Sequence, residues 1–329
     1  TSMTTTSLIT GGTVTQTAGS VMNETSLRIT AAGAVTLTEA NDVDNVAIDT
    51  STGAIQFTDA DGFSVADVDT ASGIDTDDST VTLISTTGGI TVTDTLAAND
   101  IEATGNITAT LVAEDAIFSI SAGADVETSG GNVTVNADNM ALTGTITATA
   151  GANQYVYLIP EDTGGSVEAI DLGGTGGAAN TLGLTSAELS NVATDTLVIG
   201  DANSGAISVT ADVTAPNVTN LHLISNSTVT GANATGGINV GGGAGNLAVE
   251  AAGTVNLNDL SNDAENVAIT TTGGNITYVD ADGFAVADVD GVFGIDANGM
   301  ASTVTLSSTL GDVTVNNTSA ASGNDIEAT

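Results

Sequence analysis

Two short acidic motifs are the residues whose types and spacing could do chemistry. Asp59-Ala60-Asp61-Gly62 is followed by Asp67-Val68-Asp69, and the pattern returns as Asp280-Ala281-Asp282-Gly283 followed by Asp288-Val289-Asp290. Carboxylates one residue apart and closed by glycine are how a calcium loop begins, because a hard cation takes several oxygens on a tight turn. Asp59, Asp61, Asp67, Asp69, Asp280, Asp282, Asp288 and Asp290 are therefore the candidate Ca2+ ligands. The run departs from an EF-hand: the third Asp and the twelfth-position Glu are absent, and Phe63 and Val65 follow instead. A solvated acidic turn is the other reading of the same residues.

Other chemistry is thinner. His222 lies in Leu221-His222-Leu223-Ile224 with no Cys and no second His in the chain, and strand alternation puts it on the outer surface. Tyr155 and Tyr157 share one face of a strand, as an aromatic contact patch or as lateral packing. Polysaccharide lyases need Arg or Lys to hold uronate carboxylates and take a proton; this chain has Arg28 as its one basic residue. Hydrolases need a carboxylate pair across a cleft, and no unduplicated acidic cluster sits beside aromatic sugar platforms. The expectation is that the chain is not an enzyme and requires no cofactor, Ca2+ being the one candidate ion; a carbohydrate-active protein is the third and weakest reading.

The elements that must position these residues are short. Nearly every run is four to seven residues long, alternates apolar and polar and ends at Gly, Asn or Asp, as in Asn45 to Ile48, Ala54 to Phe57, Thr80 to Ile84 and Ile107 to Leu111, with Val35-Thr36-Leu37 a shorter case, and no helical period is evident. The chain also contains itself. Residues 26–104 return as 246–329: Asn45-Val46-Ala47-Ile48 as Asn266-Val267-Ala268-Ile269, Ser79-Thr80-Val81-Thr82-Leu83 as Ser302-Thr303-Val304-Thr305-Leu306, and Asn99 to Thr104 as Asn324 to Thr329. Residues are gained between these landmarks, which is how loops behave. The first copy continues past Thr104, so residues 1–329 are expected to form one continuous rod cut from a longer array.

Forty acidic residues against Arg28 give a formal charge of −39, which excludes nucleic acid as a partner and argues against an anionic membrane surface. Acidity on this scale often means disorder, but 41% of the residues are apolar and are set in alternating runs. Only eight residues are Phe or Tyr, none is Trp and none is Cys, so a narrow core of stacked aliphatics is the form that fits. Gly33-Ala34-Val35-Thr36-Leu37-Thr38 is followed by Gly53-Ala54-Ile55-Gln56-Phe57-Thr58, a step that predicts about 20 residues per coil of a solenoid. Val35 is expected over Ile55 and Leu37 over Phe57. Asn41, Asn45, Asn99 and Asn106 are either amide-ladder residues or solvated turn residues. A tandem immunoglobulin-like array would repeat near ~100 residues and carry an aromatic core.

With Gly89-Ile90-Thr91-Val92-Thr93 and Asn99-Asp100-Ile101-Glu102-Ala103-Thr104-Gly105-Asn106-Ile107-Thr108, these phrases resemble the β-helical repeat regions of large secreted bacterial adhesins of the filamentous haemagglutinin type. The resemblance implies an all-β, right-handed parallel β-helix, export through the outer membrane by a partner transporter, and a surface or fibre role. The expected function is that of an extracellular structural or adhesive fibre or stalk, with other cells, matrix glycans or copies of itself as partners and no membrane insertion. The alternative is a self-assembling filament or surface-layer subunit joined by divalent cations.

Overall fold

The computed structural model describes residues 5–96, 99–113, 116–161, 167–175, 180–231, 236–299, 301–316 and 325–328. The chain divides into two compact units, Thr1–Tyr157 and Leu158–Thr329. Both are stacks of short parallel strands, the arrangement of a β-solenoid.

In the first unit each later coil contributes three strands, and each strand lies parallel on its equivalent in the next coil. One row is Ile55–Asp59, Val81–Ser85, Ile107–Leu111 and Val133–Asn136. A second is Phe63–Val65, Ile90–Val92, Ile117–Ile120 and Asn139–Leu142. A third is Ile74–Thr76, Ile101–Ala103, Asp125–Thr128 and Thr145–Ala148. Period-two alternation turns every second side chain inward, so the core is a set of columns. Ile55, Val81, Ile107 and Val133 form one such column, and all four are buried. Val35 pairs with Ile55 and Leu37 with Phe57, as the sequence leads one to expect.

The earlier coils have fewer faces. Strand Val35–Thr50 sends Val35 to Leu37 onto Ile55–Asp59, shifts register before Asn41, and continues along a second face. That second face then divides: Asn45 and Val46 pair with Ser64 and Val65, while Ile48, Asp49 and Thr50 pair with Ile74, Asp75 and Thr76. Where the two halves part, an antiparallel hairpin, 67–72, is inserted.

The second unit repeats the plan. Ile207, Val229, Val255, Ile276 and Val304 stack in one column, and Leu223, Val249, Ile269 and Ile295 in another. Strand Asn266–Thr271 divides onto Phe284–Val286 and Ile295–Ala297, with hairpin 288–293 between them. Register also carries the internal repeat further back than sequence landmarks do. Leu8 over Ile29 and Val14 over Val35 match Leu223 over Val249 and Val229 over Val255, so Leu8-Ile9-Thr10 corresponds to Leu223-Ile224-Ser225.

Two expectations need correction. A fixed coil of about 20 residues does not hold: equivalent positions are 19 residues apart at Asn23 and Asp42 but 28 apart at Asn275 and Thr303. The strand registers stay regular while the corners and hairpins absorb the difference. A helix is present as well, Ser186–Ser190, closed by a capping box in which Thr185 and Glu188 bond each other's backbone N–H. The Thr-x-x-Glu signature was legible; five residues are too few to show a period. No helix among the described residues is long and apolar enough to cross a membrane.

Candidate functional site

The Asp-x-Asp-Gly motif is a corner. Ile55–Asp59 alternates so that Ile55, Phe57 and Asp59 all point inward, and Asp59 is fully buried. Its Oδ1 accepts the backbone N–H of Asp61 at 3.1 Å and of Gly62 at 2.9 Å, and its Oδ2 accepts that of Val43 at 3.0 Å. Gly62 is held at φ +100°, a conformation that L side chains rarely adopt, and packs against the backbone of Gly89 in the next coil. Burial raises the Asp59 carboxyl from 3.8 to about 6; the three amide bonds pull it down, and the charge of Asp61 pushes it up.

The copy is built alike. Asp280 is fully buried, with Oδ1 accepting from the N–H of Asp282 at 3.1 Å and of Gly283 at 2.8 Å. Its Oδ2 accepts from Ala264 N–H at 3.3 Å and from the Tyr278 hydroxyl at 2.9 Å. Burial first, and the Asp280 charge second, hold that phenol well above its usual range. Edge-on aromatic pairs, Phe57 with Phe63 and Tyr278 with Phe284, flank the two corners with ring centroids 4.9 Å apart.

The eight candidate calcium ligands thus fall into different places. Asp59 and Asp280 direct their oxygens at backbone and phenol donors. Asp61 and Asp282 are exposed on the turn that follows. Asp67 and Asp69 are exposed on hairpin 67–72, where Asp67 Oδ1 accepts the N–H of Leu96 at 3.1 Å; Asp288 and Asp290 are half-buried on hairpin 288–293. Asp69 and Asp290 hold the hairpin turns at φ 56° and 46°. Among the described residues no three of His, Cys, Asp and Glu gather where they could hold a metal ion.

Carboxylates are brought together in another way, which the sequence did not reveal. Asp49, Asp75, Glu102 and Glu127 occupy one outward register position on four successive strands, one per coil. Asp75, inside this column, is raised from 3.8 to about 6, by burial first and then by the charges of Glu102, Asp77 and Asp49. The intervals between these residues are unequal because coil length varies, so no sequence period marks them.

Amides do form a ladder, at positions other than those expected. Asn266 Nδ2 donates to Asn246 Oδ1 and Asn246 Nδ2 to Asn220 Oδ1, each at 2.8 Å, and Asn220 Nδ2 donates to Thr196 Oγ1 at 3.0 Å. Asn45, which corresponds to Asn266, instead donates to the carbonyl of Thr25 at 3.2 Å. Asn41 is not a solvated turn residue. It is fully buried, donating to the carbonyls of Glu39 and Thr58 and accepting from Met22 N–H and Gln16 Nε2. Asn262 has the same role in the second unit, bonded to Leu257, Asp259, Val279 and Ile238. Asn99 donates to Glu102 Oε2 at 3.2 Å, and Asn106 Oδ1 accepts the N–H of Asn132 at 2.9 Å.

His222 is the plainest departure from expectation. It points outward from its strand, yet it is 4% exposed because hairpin 288–293 lies over it. Nδ1 is 2.7 Å from Asp290 Oδ2 on the hairpin turn, and Nε2 is 3.2 Å from Glu250 Oε1 on the next coil. Val289 and Val292 of the hairpin pack on Ala248 and Ala268, the outward residues that follow His222 in the column. Hairpin 67–72 does the same in the first unit, where Val68 and Ala71 cover Ala47, and Arg28 is next to Ala47 in the column. The usable signal was the apolar pairs flanking each turn, Val68 with Ala71 and Val289 with Val292. Tyr155 and Tyr157 stack face to face, with centroids 5.5 Å apart and planes 13° apart.

Comparison with protein-family models, with curated proteins and with solved structures returns no match.

Proposed function

We propose that the chain is part of an extracellular structural or adhesive rod, a fibre or surface stalk whose work is length, stiffness and display. One observation carries the reading: the buried polar side chains bond between coils. Asp59 reaches Val43, Asn41 reaches Thr58, Asn262 reaches Val279 and Asp280 reaches Ala264, each a contact from one coil to its neighbour. These groups hold the stack, and the outer faces carry carboxylates and hydroxyls that keep a rod soluble. The likeness to adhesins of the filamentous haemagglutinin type agrees with this role, with export by a partner transporter and with other cells or matrix glycans as binding partners. With Arg28 as its one basic residue, the chain offers trypsin-like proteases a single site, which suits life outside a cell.

A second reading is favoured by the column of Asp49, Asp75, Glu102 and Glu127: a filament or surface-layer subunit in which Ca2+ joins carboxylates of separate copies. Electron microscopy of the native material with and without EDTA, with calorimetric titration of calcium, separates the two. Filaments unchanged by chelation, with no stoichiometric calcium uptake, support the single-chain rod. Dissociation in EDTA with stoichiometric uptake overturns it in favour of the cation-joined assembly, and turnover of a glycan would overturn both.

A further inference from the structure

We infer that the outer face of one strand row, the row of Ile55–Asp59 and Val81–Ser85 and its counterpart in the second unit, is a lateral docking surface whose partner is the same face of a second copy of this chain. Alternation sends every second residue of the row outward. In the first unit one outward column runs Thr15, Thr36, Gln56, Thr82, Thr108 and Thr134, one residue per coil. The column beside it holds Thr58, Ile84, Thr110 and Asn136. The second unit repeats the arrangement with Ser208, Thr230, Asn256, Thr277 and Thr305. None of these residues is charged, and none is buried.

On a chain with a formal charge of −39, that absence of charge decides which faces two copies can bring together. The third row of the first unit carries one carboxylate per coil, Asp49, Asp75, Glu102 and Glu127. Strands of the second row are only three or four residues long, with the exposed Asp61 and Asp94 at their corners. Turning either of those faces toward a copy sets like charges against each other.

The hydroxyl face also has grounds for attraction. Each Thr or Ser hydroxyl both donates and accepts, as do the amides of Gln56, Asn136 and Asn256, so the face is complementary to itself. Two copies present their residues at the same inter-strand spacing of ~4.8 Å, so rungs that coincide at one coil coincide along the stack. Six rungs and two columns make a patch of roughly 300 Å2, below the ~800 Å2 per partner of a stable complex. A single contact is therefore weak and reversible, and it strengthens with the number of coils in register. This lateral contact presupposes the rod reading and names a partner for it; chains that stay single would still be rods.

Sedimentation of the whole chain in EDTA, across a range of salt, tests the contact free of any calcium bridge. At about 0.01 M ionic strength, where charge acts over ~30 Å, copies should repel and run as monomers; at about 1 M, where that range falls to ~3 Å, they should run as reversible oligomers. Thr82→Asp combined with Thr108→Asp puts carboxylates on the face, to be desolvated and set against their copies, and should weaken association at least about tenfold at the same salt. Because the chain has no Cys, single thiols can map the contact. At high salt a short bifunctional maleimide should join Thr82→Cys, near the middle of its column, into dimers and leave Glu102→Cys, on the acidic column, as monomers. The thiol variants carry the test should the aspartates prevent folding. Monomers at every salt concentration, undiminished association of the aspartate variant, or equal cross-linking of Glu102→Cys would each overturn the inference.

Discussion

Replacing Asp59 with Asn should change how stability responds to pH, and the size of the change follows from the corner. The carboxyl titrates near 6 in the folded chain and at 3.8 when unfolded. Between those values the folded state holds a proton that the unfolded state has released, so the stability due to this group is full below 3.8 and is lost as pH rises through 6. At ~1.4 kcal/mol per unit, the loss is about 3 kcal/mol. Asn cannot titrate, and it keeps one oxygen for the N–H groups of Asp61 and Gly62. Its NH2 group faces the N–H of Val43, which loses an acceptor at a cost of about 1–3 kcal/mol. The variant should therefore be the less stable protein at pH 4, and the two should converge by pH 7. The assay is urea unfolding from about pH 4 to 7, read by amide exchange in strands Ile55–Asp59 and Val81–Ser85 so that the first unit is followed alone. Taking the difference between wild type and variant cancels the repulsion among the chain's many other carboxylates. A difference that stays constant with pH would refute the reasoning, because the buried carboxyl would then have no unusual hold on its proton.

Two further substitutions test how the coils are joined. Asn246→Ala removes both hydrogen bonds of the middle rung, to Asn220 and Asn266, and should cost about 1–3 kcal/mol in urea unfolding, whereas Asn45→Ala, which loses one bond to Thr25, should cost about 1. Gly88→Ala would place a Cβ on the carbonyl oxygen of Asp61 in the neighbouring coil and should lower stability by more than about 2 kcal/mol, while Gly12→Ala, whose Cβ would meet only Thr10 Oγ1 at 3.7 Å, should stay within about 0.5 kcal/mol.

What could be read from the sequence was what alternation and repetition encode. Period two placed Val35 over Ile55 and Leu37 over Phe57, and the duplicated landmarks marked residues 26–104 and 246–329 as copies of one another. Coil length was misjudged because the Gly33 to Gly53 step lies in a coil without a long insertion, whereas the later coils carry hairpins and wider corners. The roles of single polar residues were harder to read, because a side chain's direction in a solenoid depends on what lies one coil away. Asp59 looks like a cation ligand beside Asp61, yet strand alternation from Ile55 and Phe57 already points it inward. His222 is outward by the same alternation and still buried, since its cover comes from a hairpin 68 residues later. The column of Asp49, Asp75, Glu102 and Glu127 was invisible for a related reason: its members are neighbours in space at unequal intervals in sequence.

The divided face separates two quantities that most folds tie together. Strand Val35–Thr50 hands its hydrogen bonds to two shorter strands without losing alignment, so the perimeter of the stack widens at that level while the ladder above and below is undisturbed. The second unit makes the same transition at strand Asn266–Thr271. Extra chain therefore has a permitted address, between Val65 and Ile74 or between Val286 and Ile295. A lineage built on this plan could lengthen, decorate or delete what projects there and leave every other coil in place.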